Sequence, residues 1–588
     1  MRRAVLFVSP LIVAAVWTVT ASLVTLWGLG TLELVGWPTW QWWGYLITAM
    51  PDAGTQERVN QWLLTGSIAG TLTAASLAYR IISDSSVMFG RGGRALFGSL
   101  KYATPKDGRK AGLIYVRRPR PDCILLGRTA GLLGRFWRYV CLPGVQHVIL
   151  YAKTGSGKGV AYVIANCFNY TDSLVVLDLK NENYRATAGH RAAVLGQEVF
   201  RFSPLDKNGA THCWNPLGGI DASQPDYISK LQQRAFSFFP ETYGKEKFWQ
   251  DGARAAFLGI SILVCETPGM PLNPARVFRF FTSGSGTDEL IRLIEAARQA
   301  RQPYTQTCVD LISDYLNGTD EVVKGIRKHV TSTMGLWFNP KIAAATEHSD
   351  FSLGDLRRKR MTIYIGVMPA DLEQLGVLLR LLFLQLFEAN TDVMPQEDST
   401  ITHRCHVLLD EFTAIPVMRT IAEAVGFARG FGLQFSFVVQ SKNQIQEKYR
   451  NNGAASLLEN AGAEIVFGTD NHQLCKEVSE RAGYDTVENI SRTTPRFFSL
   501  FRAREQNENT SQTRRALILP QEVSGLPQTE EIMFRASAPP FRLKRLCWYR
   551  DASFKNLKQR PADLPTVRYK LALDDGSIQL SHEKIAYH

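Results

Sequence analysis

Ile149-Leu-Tyr-Ala-Lys-Thr-Gly-Ser-Gly-Lys-Gly-Val160 is the stretch that decides the fold of this chain. Its apolar start, residues 148–151, predicts a buried strand, and helix-compatible residues 160–165 follow a glycine-rich turn. In this layout the backbone N–H groups of the turn point at a bound phosphate, and a lysine reaches the β- and γ-phosphate oxygens. The sequence therefore predicts a nucleotide-binding loop in which Lys158 contacts the phosphates. The loop consists of Ala152, Lys153, Thr154, Gly155, Ser156, Gly157, Lys158 and Gly159.

The loop departs from the usual pattern G-x-x-x-x-G-K-[ST] at two positions. Ala152 replaces the first glycine, and alanine can make the tight turn if its φ stays negative. Gly159 replaces the hydroxyl residue whose oxygen usually ligates Mg²⁺, so the way in which the metal is held stays open. The alternative is an ordinary glycine turn between a strand and a helix.

Two consecutive carboxylates end a second apolar strand, Cys405-His-Val-Leu-Leu-Asp410-Glu411. In nucleotide hydrolases with a parallel sheet, the carboxyl ends of the strands face the bound phosphates. We expect Asp410 to hold Mg²⁺ and Glu411 to polarise the attacking water. Strands often end in Asp, so the prediction depends on the occurrence of this pair together with Lys158 in one α/β region. The combination predicts a nucleoside triphosphate hydrolase.

Two more residues complete the candidate site. Gln440 ends the apolar run Phe435-Ser-Phe-Val-Val, where an amide can contact the γ-phosphate or orient the water. Arg429 lies on the glycine-flanked segment just before that run, where an arginine can stabilise charge on the nucleotide of a neighbouring subunit. The alternatives are a polar strand end and a surface salt bridge.

The composition indicates a multidomain globular chain with a basic balance. The 588 residues suffice for roughly two to four domains. Hydrophobic residues make up 45% and charged residues 21%, which excludes a disordered chain. The net charge of +13 favours an anionic partner, either nucleic acid or an acidic lipid surface. The nine cysteines form no Cys-x-x-Cys pair, which fits a reducing compartment, and we expect Cys405 and His406 to be core residues.

The first 85 residues are predicted to be a membrane anchor with two transmembrane helices and a short periplasmic loop. Residues 4–32 and 61–79 contain no Asp, Glu, Lys or Arg, and about 20 apolar residues span a bilayer. Gly66-x-x-x-Gly70 in the second run would let two helices approach closely. Basic residues flank the two runs on the sides away from the loop, which predicts a multi-pass membrane protein with most of the chain in the cytoplasm. The alternative for the second run is a buried helix of a soluble domain.

The rest of the chain is predicted to be an α/β protein with a parallel sheet. Short continuous apolar runs alternate with helical stretches, as in strands that are buried on both faces. The runs are Ser173–Leu179, Met361–Val367, Val407–Leu409, Phe435–Val439 and Ala463–Phe467. Strand-like runs are absent from the sequence between about 225 and 345, which predicts an all-α domain inserted between two α/β segments, 86–224 and 346–555. We expect 489–515 to be a long surface loop and 556–588 to be a C-terminal tail.

Further motifs give the chain a family resemblance. Ser173-Leu-Val-Val-Leu-Asp178-Leu-Lys180-Asn-Glu182-Asn183 follows the loop, and Thr187-Ala-Gly-His-Arg191 and Trp214-Asn215-Pro216-Leu217 come next. Phe248-Trp249 opens the helical block, and Leu96-Phe-Gly-Ser99 follows the predicted membrane segment. In this order, the motifs resemble those of type IV secretion coupling proteins of the TraG type, the membrane-anchored ATPases of conjugation. In that family the loop commonly ends in Gly-Lys-Gly, as it does here.

The resemblance implies a RecA-like P-loop domain, ATP and Mg²⁺ as ligands, and a hexamer around a central channel, anchored in the bacterial inner membrane. It implies delivery of single-stranded DNA with its relaxase, or of effector proteins, to the components of a type IV secretion channel. By position, Lys158 binds phosphate, Asp410 binds Mg²⁺ and Glu411 serves the water, whereas Arg429 is the finger that acts in trans and Gln440 is the sensor. Asp178, Lys180 and Glu182 match the family without a chemical role that we can assign.

Two other functions stay open at this point. One is a DNA translocase of the division septum, although such proteins usually have more spans and a longer linker before the motor. The other is a cargo receptor that binds nucleotide with little turnover. Two basic clusters, 117–120 and 357–360, are candidates for DNA contact, and the alternatives are contact with lipid headgroups and a solvated loop.

Overall fold

A computed structural model describes residues 2–28, 53–88, 101–131, 136–415, 417, 419–492, 508–568, 570–572 and 578–580. The chain forms two compact units, which are described separately. One comprises 1–98 with 486–513, and the other comprises 99–485 with 514–588.

The first unit contains two long helices that pack against each other, α1 (Arg2–Gly28) and α2 (Ala53–Met88). A Cβ atom on Gly66 would overlap Thr25 and the carbonyl oxygen of Ala21, and one on Gly70 would lie 3.0 Å from the Ala21 Cβ. The close approach expected from the Gly66-x-x-x-Gly70 spacing is therefore present. Across the same contact, the Thr25 hydroxyl donates to the carbonyl oxygen of Trp62 at 3.1 Å. Within the described ranges, no helix combines the length and the hydropathy needed to cross a membrane.

The second unit is built on a twelve-stranded mixed sheet, which confirms the predicted α/β fold. The strand order is β1-β3-β2-β14-β13-β10-β4-β9-β8-β5-β7-β6. The strands are β1 Ile114–Val116, β2 Ile124–Arg128, β3 Tyr139–Leu142, β4 His147–Tyr151, β5 Ser173–Asp178, β6 Glu198–Phe202, β7 Met361–Gly366, β8 Cys405–Leu409, β9 Leu433–Val439, β10 Ala461–Val466, β13 Glu530–Phe534 and β14 Phe541–Lys544.

The strands from β10 to β6 in this order are parallel, and those from β1 to β13 are antiparallel. Every residue of β4, β5, β7, β8 and β9 is buried, because helices cover both faces of the parallel part. Four of the five runs chosen from the sequence are such strands, and the fifth, residues 463–467, overlaps the partly buried β10. The antiparallel strands were not predicted, because β1, β2 and β3 have only three to five residues and β13 and β14 contain charged residues.

The remaining helices surround the sheet or form the helical block. Those around the sheet are α3 Pro105–Lys110, α4 Ile164–Asn169, α5 Glu182–Ala193, α13 Gly376–Asn390, α14 Arg419–Ala428, α15 Lys442–Glu459, α16 His472–Ala482 and α17 Pro520–Ser524. Those of the block are α6 Tyr227–Phe238, α7 Glu246–Glu266, α8 Pro274–Thr282, α9 Gly286–Gln299, α10 Gln306–Leu316, α11 Asp320–Met334 and α12 Pro340–Ala345. Phe238, Phe257 and Trp337 of the block belong to the same buried cluster as the β5 and β8 side chains, so the block and the sheet share one core.

The loop expected at 489–515 was wrong at both of its ends, and its middle part, 493–507, lies outside the described residues. The segment expected to be a long surface loop contains paired strands, β11 (Tyr484–Arg492) and β12 (Glu508–Ala516). β12 has one apolar residue, Ala516, and the apolar residues of β11 are every third one, Tyr484, Val487 and Ile490, so both strands lack the apolar alternation by which strands are predicted. In the predicted C-terminal tail, Thr566 bridges to Ala210 and the carbonyl oxygens of Gln559 and Arg560 pack against Gly189. Two short strands, β15 Lys570–Ala572 and β16 Ile578–Leu580, pair with each other beyond that point.

Candidate functional site

The predicted phosphate loop joins the end of β4 to a π-helical turn, Gly159–Val163, which continues into α4. Gly155 and Gly157 have φ values of +76° and +83°, in the left-handed region that glycine adopts without strain. Ala152 is outside that region, so alanine fits there without strain. Its N–H donates to the Val439 carbonyl oxygen at 2.8 Å. Added Cβ atoms at Gly155, Gly157 and Gly159 would meet no atom within 4 Å, so the loop lies beside open space.

The two carboxylates from β8 meet the loop lysine. The Lys158 ammonium forms an ion pair with the Glu411 carboxylate and lies 3.5 Å from Asp410 Oδ1. The sheet order explains this meeting, because β4 and β8 are separated by β9 alone and all three run in parallel. Their carboxyl ends therefore lie at one edge of the sheet, which brings together residues that are more than 250 positions apart.

A strained backbone at Glu411 lets both carboxylates reach the lysine. In an extended strand, consecutive side chains point to opposite faces. Glu411 instead has φ +64° and ψ +49°, a left-handed conformation that costs an ordinary residue about 1–2 kcal/mol. The chain turns directly after Asp410 into the short 3₁₀ helix Phe412–Ala414. Strain of this kind is typical of functional sites, where the surrounding structure enforces it.

Asp410 has the features of a metal ligand. Its Oδ1 atom is buried and accepts no hydrogen bond from the described residues. Burial raises the pKa of Asp410, and the Lys158 ammonium opposes that rise. A buried carboxylate oxygen with free lone pairs suits a hard divalent cation such as Mg²⁺. The donor set at Asp410 therefore fits the predicted metal, whereas Gly159 contributes no side-chain ligand.

Gln440 lies at the carboxyl end of β9, between the loop and the carboxylates. Its amide nitrogen is 3.4 Å from Thr154 Oγ1 and 3.4 Å from Glu411 Oε2. The structure thus brings Lys158, Asp410, Glu411 and Gln440 into one cleft. Their chemical roles remain predictions.

Arg429 is not in this cleft. It begins the 3₁₀ turn Arg429–Phe431 at the other end of β9, and its Nε donates to the Val145 carbonyl oxygen at 3.1 Å. The seven residues of β9 span roughly 20 Å, which separates Arg429 from Gln440. Arg429 is exposed at the amino edge of the sheet, so any contact with nucleotide would have to be made to another subunit.

One basic cluster is structural. Arg357 is buried and donates to the carbonyl oxygens of Phe431 and Val393. Its neighbours Arg358, Lys359 and Arg360 form ion pairs with Asp398, Glu198 and Asp172. Two environments were considered for this cluster, a contact with DNA and a solvated loop, and the buried Arg357 fits neither. Its hydrogen bonds instead link distant segments of the fold. In the other cluster, Arg117 and Arg118 are exposed and Arg120 pairs with Asp122 at 2.6 Å.

A buried polar group that packs behind the loop was not predicted from the sequence. Arg545, the residue after β14, is buried and donates to the Ser156 carbonyl oxygen at 2.9 Å. Glu531 on β13 is also buried, and its Oε1 atom accepts no hydrogen bond from the described residues. Burial raises the pKa of Glu531 to about 8, although Arg545 and Arg128 favour its charged form.

The raised pKa of Glu531 predicts a pH-dependent stability. In the unfolded chain this carboxyl ionises near its ordinary pKa of 4.5, whereas the folded chain keeps the proton up to about pH 8. The folded state therefore binds more protons in this window, and the free energy of unfolding falls as pH rises, by up to about 1.4 kcal/mol per unit. Glu531→Gln should match the parent's melting temperature near pH 4 and exceed it by a growing margin from pH 5 to pH 8, as measured by thermal unfolding of the purified chain.

Glu530→Gln is the matched control, because Lys544 and Arg542 lower the pKa of the adjacent carboxyl and it does not titrate in this range. If the melting temperatures of the parent and of Glu531→Gln change with pH in the same way from pH 6 to pH 8.5, Glu531 is ionised in the folded chain throughout that range.

Comparison with known proteins places these features in a family context. The family model described as Type IV secretory system Conjugative DNA transfer matches residues 97–571. Protein VirD4 of Rhizobium radiobacter is 31% identical over 471 residues, which cover 79% of this chain and 65% of that protein. Conjugal transfer protein TraG of Escherichia coli is 23% identical over 522 residues, covering 82% of this chain and 81% of that protein. The matched part of the chain thus spans slightly under two thirds of that VirD4.

A solved structure has the same fold. Plasmid coupling protein TrwB in complex with ADP and Mg²⁺ superimposes with a TM-score of 0.51 at 16% identity. The superposition covers 79% of this chain and 99% of that one. At this identity the likeness establishes the arrangement of strands and helices alone.

Proposed function

Because this chain belongs to the type IV secretory system conjugative DNA transfer family, we propose that it is a coupling protein that hydrolyses ATP to deliver its cargo to a secretion channel. The observation that carries the proposal is the meeting of Lys158 with two consecutive carboxylates at the carboxyl edge of the sheet. A lysine-bearing loop, a candidate metal ligand and a candidate base occupy one cleft, as ATP hydrolysis requires.

Phosphate binding is the first task of the cleft. The loop N–H groups and the Lys158 ammonium would hold the β- and γ-phosphates. Asp410 would hold Mg²⁺, which offsets phosphate charge when bound, and TrwB, which shares the fold, has been solved with ADP and Mg²⁺. Lys158 forms an ion pair with Glu411, so a bound phosphate would compete with that carboxylate for the ammonium.

Water activation is the second task. Once Lys158 turns to the phosphates, the Glu411 carboxylate is released to accept a proton from the attacking water. The Gln440 amide, 3.4 Å from Glu411 Oε2, would orient that water against the γ-phosphate. The arrangement supports cleavage of the terminal phosphate.

The assembly is proposed to be a hexamer in which Arg429 acts on the neighbouring nucleotide. Its exposure at the amino edge of the sheet supports a role in trans. The cargo is proposed to be single-stranded DNA with its relaxase, effector proteins, or both. The net charge of +13 supports an anionic cargo. The family match over residues 97–571 favours this function over a septal DNA translocase.

We also propose that residues 1–85 anchor the chain in the inner membrane. The support is the uncharged runs 4–32 and 61–79 with their flanking basic residues. The chain should stay in the membrane pellet after alkaline carbonate extraction of cells, and a variant that starts at residue 99 should be released. Release of the full chain would contradict the anchor.

Nucleotide binding by this loop can be tested with Lys158→Ala. Loss of charge-assisted hydrogen bonds of about 1.5–3 kcal/mol should weaken ADP binding roughly 10- to 150-fold, as measured by titration calorimetry. Lys324→Ala is the matched control, because Lys324 is an exposed lysine of the helical block that pairs with Asp320. Equal ADP affinity of the parent and Lys158→Ala, or no binding by the parent, would refute the assignment of the loop.

A further inference from the structure

The inference starts from the contacts of Arg545 behind the phosphate loop. Its Nη1 donates to the Ser156 carbonyl oxygen at 2.9 Å, and its Nε donates to the Glu530 carbonyl oxygen at 2.7 Å. The guanidinium lies 3.7 Å from the centre of the Phe467 ring. The Phe467 N–H in turn donates to the carbonyl oxygen of Tyr151, the last residue of β4. Arg545 is thus fixed against the elements that begin the loop.

The bond to Ser156 constrains the peptide that joins it to Gly157. A peptide unit is planar and trans, so its carbonyl oxygen and its N–H point in opposite directions. Holding the Ser156 oxygen on the Arg545 side therefore aims the Gly157 N–H away from Arg545. The flanking residues Gly155 and Gly157 are both in the left-handed region, where glycine lets a peptide rotate easily. The loop sequence alone leaves this orientation loosely determined.

Few other groups compete with the Ser156 carbonyl oxygen for the Arg545 guanidinium. Among the described residues its side-chain hydrogen bonds go to two carbonyl oxygens, and it forms no ion pair. Burial lowers its pKa to about 10, so the guanidinium is charged at neutral pH. Glu531, whose charge favours the charged guanidinium, is buried with a raised pKa, and this weakens the competition for the guanidinium.

We propose that Arg545 is a positioning residue of the nucleotide site, which fixes the Ser156–Gly157 peptide so that the Gly157 N–H is presented to a bound phosphate. The inference rests on the proposed function, because it assigns a role in the same site. It also implies that the phosphate loop depends on the C-terminal antiparallel strands for its shape, 389 residues away in sequence.

The test measures ADP binding to the full chain in detergent by titration calorimetry. Arg545→Met removes both hydrogen bonds at similar length, and a misplaced loop should weaken binding by about 10- to 100-fold. Arg545→Lys keeps the charge and can make one of the bonds, so its ADP affinity should lie between those of Arg545→Met and the parent. Arg542→Met is the matched control, since Arg542 lies on β14 and pairs with Glu530 at the surface. It should bind ADP within about twofold of the parent.

A second readout separates positioning from general support of the fold. In steady-state ATP hydrolysis, a positioning residue should raise KM in Arg545→Lys and leave kcat close to that of the parent. Parental ADP affinity in a folded Arg545→Met would overturn the proposal. If that variant does not fold, a parental KM in Arg545→Lys would overturn it instead. A parent chain that binds no ADP would refute the proposed function, whereas a parent and an Arg545→Met that bind equally well would refute this inference alone.

Discussion

Glu411→Gln is expected to bind ATP at least as tightly as the parent and to hydrolyse it about 10²- to 10⁴-fold more slowly. The amide keeps the size of the side chain but cannot accept the proton of the attacking water. It also removes the ion pair with Lys158, so phosphate no longer competes with a carboxylate for the ammonium. Binding and turnover should therefore change in opposite directions, and the measurement is affinity for a non-hydrolysable ATP analogue beside steady-state phosphate release.

The control is Glu198→Gln, an exposed glutamate at the amino end of β6, which should leave turnover unchanged. The same experiment decides between a motor and a cargo receptor. If the parent and Glu411→Gln are equally inert with oligomer and DNA present, the chain uses nucleotide without turnover, and the receptor becomes the better hypothesis. Parental turnover in Glu411→Gln would remove Glu411 from the mechanism.

Arg429→Ala is expected to retain nucleotide binding and to lose DNA-stimulated hydrolysis, by about 10³-fold if Arg429 acts as a finger. Arg429 lies roughly 20 Å from the cleft of its own chain, so its loss should not disturb that cleft. The guanidinium would instead stabilise charge on the nucleotide of the adjacent subunit. The measurement is ATP hydrolysis by the assembled protein with and without single-stranded DNA.

Mixing two inactive variants tests whether the action is in trans. In mixed assemblies, an Arg429→Ala subunit supplies an intact cleft and its Glu411→Gln neighbour supplies Arg429, so hydrolysis should partly recover. Arg404→Ala is the control, because Arg404 is another exposed arginine at this edge of the sheet, just before β8. Its loss should leave DNA-stimulated hydrolysis at the parental rate. The role in trans is wrong if the mixture stays as inactive as either variant, or if Arg429→Ala in hexamers turns over at the parental rate.

The predictable part of the fold is the part with both faces buried. Strands such as β4, β8 and β9 appear in the sequence as apolar runs. Lys158 follows β4 at the end of the glycine-rich loop, and the two acids and the amide directly follow β8 and β9. Parallel pairing then places those strand ends at one edge without further information. This is why the cleft could be predicted from residues that are far apart in sequence.

The parts that could not be predicted depend on partners rather than on local pattern. β14 has the sequence Phe-Arg-Leu-Lys, and only its pairing with β13 and β2 identifies it as part of the sheet. Arg357 and Arg545 look like surface residues in sequence, yet both are buried because carbonyl oxygens of distant segments accept their hydrogen bonds. Charged residues are rarely buried without such partners, so sequence alone favours the wrong environment.

Strand β9 ends in Gln440 at one edge of the sheet and follows Arg429 at the other. In a ring in which Arg429 reaches the adjacent subunit, this single buried strand would touch two nucleotides, one at each end. If loss of the γ-phosphate at the Gln440 end shifted β9 along its axis, Arg429 at the other end would move relative to the nucleotide of the adjacent subunit. Neighbouring subunits would then hydrolyse nucleotide one after another rather than at random, because β9 links each active site to the next one around the ring.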